Sequence, residues 1–286
     1  ELGDVVAAER AFDEATLRLG SEPPALLSRR ARLAALRGDA PAAADIARQA
    51  LIGAASIDQK AGDAAFWWLQ LAHYEFRIGS LASAESAARS ALEVDAGNLG
   101  ATELLAKIVS AQGDDSEAIE LYADLLERGP AADLHGELAK VLTRSGRPDE
   151  ALVEIEAGLA LAHESADEFP AERRHLIGFL ADHDPEEALR LAALDLAERQ
   201  DVYSHAWYAW ALHRTGDASA ALDAIGPALA FGTDDPWLLY QAGQIHAVNG
   251  NGAEAADLLG RALELNPVFD VVHAPRAAVA LAALGG

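Results

Sequence analysis

The side chains able to do chemistry are few in kind. The 286-residue chain has nine histidines and no cysteine, so a thiolate nucleophile, a disulfide and a thiolate metal site are all excluded. The densest cluster of ligating residues is Asp182-His183-Asp184, with His175 one or two helical turns earlier. A metal site needs about three or four convergent ligands, and no helical His pair at i and i+4 stands beside a carboxylate. His183 therefore reads as a turn or capping residue. His205 and His213, two turns apart, could share a helix face, where groove lining or core packing competes with a metal role. There is no G-x-S-x-G elbow, no P-loop and no G-x-G-x-x-G following a strand. Glu186-Glu187 open a helix, where carboxylates complement the dipole without any reaction. The expectation is a protein that is not an enzyme and takes no cofactor or metal.

What positions these residues follows from composition. Acids outnumber bases 46 to 22, for a net charge of −24, which opposes nucleic acid and anionic membrane as general partners. About half the chain is hydrophobic, much of it Ala, and aromatics are only 6%, with Gly and Pro at intervals. Ala-rich sequence broken regularly means many close-packed helices. No apolar run approaches the roughly 20 residues of a membrane-spanning helix. The chain contains no Met, so Glu1 is a processing point, the edge of an expressed piece or the first ordered residue, which leaves both a cytoplasmic protein and one with a removed export signal open.

The segment Pro236 to Pro267 shows the unit. One helix carries Leu239, Ala242, Gly243 and Ala247 on a face, a Gly-centred turn follows, and a second helix answers with Ala255, Leu259, Ala262 and Leu263. Small residues at Gly243 and Ala255 let the two axes approach closely. Turn glycines recur at Gly38, Gly79, Gly113, Gly146, Gly216 and Gly250, spaced 41, 34, 33, 70 and 34 residues apart. The longest interval holds one irregular unit turning near Ala181 to Leu189. A period near 34 predicts an all-α solenoid in one domain over 1–286, with repeats at 24–54, 65–98, 99–132, 133–165, 169–201, 202–235 and 236–267. The segment GAASIDQKAGD (53–63) interrupts the strict period. Gly3 to Leu19 reads as the second helix of a hairpin, an array cut inside a repeat, and 268–284 as a C-terminal capping helix.

On these residues the chain resembles the tetratricopeptide-repeat proteins over its whole length. More narrowly it is similar to a largely uncharacterised group of bacterial members from high-GC species. The strings carrying that likeness are FLADHD (179–184), RQDVYSHAWYAWALHRTG (199–216), Gly232-Thr233, YQAGQI (240–245) and NPVFDVVHAPRAA (266–278). Members often carry an export signal, which gives a lean toward export. The resemblance brings no catalytic residues. It implies a right-handed superhelix whose inner surface comes mainly from the first helix of each hairpin. Mapped onto that scheme, Arg32, His73, Arg77, Lys107, Lys140, Arg144, Arg173, His213 and Arg214 face inward, with only Glu103 and Asp133 acidic among them. Phe66, Phe76, Tyr203, Trp210, Trp237 and Tyr240 share the face.

Cations beside aromatics in a groove suit an extended, acidic peptide with an apolar anchor or two. Solvated basic residues and gap-filling aromatics would give the same pattern. Lys107, Lys140 and Arg144 resemble the cations of a carboxylate clamp for chaperone C-termini, but its Asn residues have no counterpart. The leading expectation is a non-catalytic module binding a protein or peptide partner. The alternatives are a scaffold self-associating through its repeat ends, and a small-molecule or metal binder around Trp207, Trp210, Trp237 and Tyr240 with His205, His213 and Gln244.

Overall fold

A computed structural model describes residues 5–55, 60–165 and 173–285 of the chain. Among them the regular elements are α-helices: α1 Val5–Leu19, α2 Pro24–Leu36, α3 Ala40–Ala54, α4 Ala61–Arg77, α5 Leu81–Val94, α6 Leu99–Gln112, α7 Asp115–Arg128 and α8 Ala132–Arg144. They continue as α9 Pro148–Ser165, α10 Arg173–His183, α11 Pro185–Glu198, α12 Val202–Arg214, α13 Ala218–Ala230, α14 Pro236–Val248, α15 Gly252–Leu265 and α16 His273–Leu284. From α2 to α15 they pair into seven antiparallel hairpins, with α1 before and α16 after, the all-α solenoid that the period predicts.

The turns follow from two residue types. All six turn glycines adopt φ between 72° and 92°, a left-handed conformation that a Cβ makes costly. An aspartate often comes next and starts the following helix: the Asp39, Asp114 and Asp217 side chains accept from Ala42, Glu117 and Ala220 amides. Gly-Asp thus ends one helix and caps the next. The fifth hairpin manages without glycine, because α10 ends at His183 and the Asp184 cap is followed at once by Pro185.

Alanine makes the hairpins tight. Ala31, Ala43, Ala72, Ala84, Ala106, Ala118, Ala188 and Ala255 are each fully buried at a helix crossing. A Cβ on Gly243 would lie 2.7 Å from Leu259 Cγ, so the close approach inferred from the sequence is real. Two boundaries differ from expectation. The helix placed from 268 begins at His273, because Asp270 turns its side chain onto the Val272 and His273 amides and caps the helix there. The second hairpin begins at Ala61 rather than 65, with Asp63 in the favourable first turn. Residues 1–4, 56–59, 166–172 and 286 lie outside the described residues. So do Glu1, the middle of the linker and the start of the repeat placed at 169.

The coil also returns on itself. The loop between α13 and α14 meets the turn after α2, and the segment between α15 and α16 meets the turn after α4. The accessible surface, 13293 Å², stands only about a seventh above the value of roughly 11,700 Å² that a compact globule of this mass exposes.

Candidate functional site

The first helices α4, α6, α8, α12 and α14 converge on a concave interior whose charges are paired. Arg77, at the end of α4, sits 2.9 Å from Asp235 Oδ2 and donates to the Tyr203 hydroxyl at 3.1 Å. Burial is the largest single effect and would lower its pKa, but Asp235 together with Tyr203 and Tyr74 outweighs it and holds the guanidinium above its usual range. Lys107 lies 2.7 Å from Glu103 one turn back on α6 and keeps 36% of its side-chain surface. Lys140 of α8 lies between Glu137 at 2.9 Å and Asp270 at 3.0 Å. Both ammonium groups are held above the ordinary lysine range against their desolvation, Lys107 chiefly by Glu103 and Lys140 chiefly by Asp270.

His73 keeps solvent contact, yet protein crowds it: desolvation and the Lys107 charge, against Glu103, push it down to about 4. A lining side chain in an enclosed, wet space has both properties. Arg32 is exposed on α2, within electrostatic reach of Tyr74 and Tyr203. Arg144 turns to its own neighbours, with Nε 3.0 Å from Asp115 Oδ1 and NH2 donating to the Ser110 carbonyl at 2.7 Å. It ties α8 to α6 and α7. Arg173 is buried and pairs with Glu198 of α11 at 3.0 Å, inside the fifth hairpin.

The aromatic residues meet at the C-terminal end. Trp210 is buried and stacks on His213 at 5.0 Å, with the Arg214 guanidinium 5.8 Å from its ring. Trp237 stacks on Tyr240 at 5.5 Å and meets Trp207 at 6.1 Å and Phe269 at 6.0 Å. Burial raises the Tyr240 hydroxyl to about 12, and burial with the Arg214 charge lowers His213. Gln244 is half-buried on α14, one turn beyond Tyr240.

Asp182, His183 and Asp184 do not converge. Asp182 faces Arg214 at 3.4 Å and His273 at 3.5 Å, His183 lies against the Phe179 ring at 4.8 Å, and Asp184 caps α11. His175 points instead to Asp133, 3.1 Å away. Among the described residues no group of three His, Asp or Glu is placed to hold a metal, and no helix is long and apolar enough to cross a membrane.

The acids Glu137, Asp182, Asp235 and Asp270 complete this interior, and the sequence mapping did not place them there. Asp235 is also the cap of α14, accepting from the Trp237 and Leu238 amides. Asp270 accepts from His273 Nδ1 at 2.8 Å as well as from Lys140. The Asp270-x-x-His273 spacing was the available signal. Its partner Lys140, 130 residues away, was not. With these acids in place the interior is close to charge-balanced, whereas the first helices by themselves read as basic.

Part of the chain matches a known family model. The tetratricopeptide repeat family model matches residues 69–133 and 104–168. No curated protein matches the chain. Among solved structures the chain is similar to a tetratricopeptide repeat protein from Parabacteroides merdae, 15% identical, covering 92% of this chain and 99% of that one, TM-score 0.48. It is similar to the APC/C hetero-tetramer Cut9–Hcn1, 16% identical, covering 91% of this chain and 55% of that one, TM-score 0.44. It is also similar to YrrB, a TPR protein with an unusual peptide-binding site, 19% identical, covering 75% of this chain and 92% of that one, TM-score 0.33. The family match thus spans residues 69–168, about a third of the chain.

Proposed function

We propose that the chain is a non-catalytic interaction module that takes an extended protein or peptide segment on its concave face. The tetratricopeptide repeat is an interaction scaffold without catalytic machinery. The observation that carries the reading is the gathering of charged and aromatic side chains from successive first helices on one surface. Lys107, Arg32 and His73 keep solvent contact there, so they are the groups that meet an incoming carboxylate. An acidic segment would engage Lys107 in exchange for Glu103, while Trp237 and Tyr203, both half-buried, offer apolar contact. Arg77, Lys140 and Arg214 already hold Asp235, Asp270 and Asp182 and act as positioning charges.

The test is capture of binding partners by the full chain beside a Lys107→Glu variant of equal thermal stability, at low and high salt. A partner bound by the first and lost by the second supports the reading. Equal capture by both moves the interface off the concave face. A second reading, self-association through the array end, rests on α1. It has no buried residue and exposes Val6, Leu17 and Leu19. Light scattering across concentration separates the two.

A further inference from the structure

The contacts that return the coil on itself differ in kind from those inside the hairpins. Within hairpins, alanine and leucine bury against each other. Across the seam the contacts are mostly polar. Thr233 Oγ1, from the loop after α13, donates to the carbonyl of Leu36, the last residue of α2, at 2.6 Å across 197 residues. Asn266 Nδ2, just past α15, donates to the carbonyl of Phe76 near the end of α4, at 2.7 Å across 190 residues. Terminal helix carbonyls lack partners within their own helix. At Leu36 the far end of the chain supplies the partner, and at Phe76 it adds to the Gly79 amide, which donates at 3.0 Å. Thr233 and Asn266 are both buried. Arg77 reaches Asp235 and Tyr203, and Lys140 reaches Asp270, over comparable separations.

Backbone fit along the seam is equally close. A Cβ on Gly38 would stand 2.3 Å from the Gly232 carbonyl oxygen, and one on Gly79 would stand 3.2 Å from the Leu265 carbonyl oxygen. Apolar cover is thin by comparison. Leu36 packs on the core of the sixth and seventh hairpins, while a crevice of about 160 Å³, lined by Ala111, Val268, Pro275 and Ala278 among others, remains open along the seam. A junction of few hydrogen bonds and ion pairs, incompletely packed, is the part of a repeat array that opens first.

We propose that this seam is a clasp: the loops at 231–235 and 266–272 close onto the ends of α2, α4 and α8, enclose the concave face at rest, and release it when they open. As a gate on binding it deepens the function proposed above. As a conformational device it is measured without any ligand.

The chain contains no cysteine, so His73→Cys places one thiol on the enclosed face. Its labelling by a small maleimide and by a bulky polyethylene-glycol maleimide is compared in four backgrounds: unchanged, Gly38→Ala, Gly146→Ala and Thr233→Val. Gly38 and Gly146 share a left-handed φ, 82° and 77°, but a Cβ at Gly146 meets nothing within 4 Å, so only the first change presses on the seam. In the unchanged background the bulky reagent should lag the small one by about tenfold, the lag of a site reached through rare opening. Gly38→Ala should abolish the lag and Gly146→Ala should keep it. Thr233→Val, a gentler change, should shorten it, and it decides the matter if Gly38→Ala does not fold. Equal labelling by both reagents in the unchanged background overturns the enclosure, and a lag surviving both seam variants overturns the clasp. Neither result bears on whether Lys107 contacts a partner.

Discussion

The hairpin geometry is most sharply tested at two helical glycines. Gly243 of α14 faces Leu259 of α15, and an added Cβ would lie 2.7 Å from Leu259 Cγ and 2.8 Å from its Cδ2. Leu259 is fully buried, so it cannot swing away into solvent. Gly260, also inside α15, would place a Cβ with nothing within 4 Å. Ala in place of helical Gly gains about 1 kcal/mol of helix propensity at either site. Overpacking at Gly243 then costs roughly 1–3 kcal/mol. Gly260→Ala should therefore stabilise by about 0.5–1 kcal/mol, and Gly243→Ala should lie roughly 1–3 kcal/mol below it. Urea unfolding of the two variants side by side, followed by circular dichroism, reads the difference as a shift in midpoint. If Gly243→Ala gains as much as Gly260→Ala, the close approach of α14 and α15 is wrong.

Three further outcomes are expected. Asp235→Ala removes the cap of α14 together with the Arg77 carboxylate partner, and should cost about 2 kcal/mol in urea unfolding. A loss no larger than that of an exposed aspartate would refute the pairing. Asp270→Asn leaves Lys140 with Glu137 alone and should cost roughly 2–4 kcal/mol, with faster hydrogen exchange in the first turn of α16. A neutral result would remove Lys140 from the interior. The histidines should titrate in opposite directions by NMR. His73 stays neutral down to about 4, so the stability it contributes is lost as pH falls from the unfolded value, about 6.5, toward that point. In His175, hydrogen bonding to Asp133 outweighs burial and raises the pKa. In His273, Asp182 and Asp270 together outweigh a burial effect larger than either. Their contributions are therefore complete below the unfolded value and lost as pH rises through the raised ones. A His73 that protonates at or above its unfolded value would refute the crowded interior.

Much of the architecture was legible because its causes are local. A glycine at six of the seven hairpin turns, an aspartate often beginning the next helix and alanines at helical spacing act over a few residues, so the period and the pairing of helices follow from reading along the chain. The first-helix positions of Arg77, Lys107 and Lys140 were equally readable. Their electrostatic state was not. Asp235 and Asp270 each accept from two backbone amides at the start of a helix, a local role. They become partners of Arg77 and Lys140 only because the superhelix closes and brings loops near 235 and 270 onto α4 and α8. Closure sums small rotations between successive hairpins, each fixed by side-chain fit, and no single residue encodes that sum. The sequence by itself determined the hairpins, their turns and the residues their first helices present. Tertiary structure alone decided how tightly the coil winds, which acids neutralise its cations, and whether its inner face stands open.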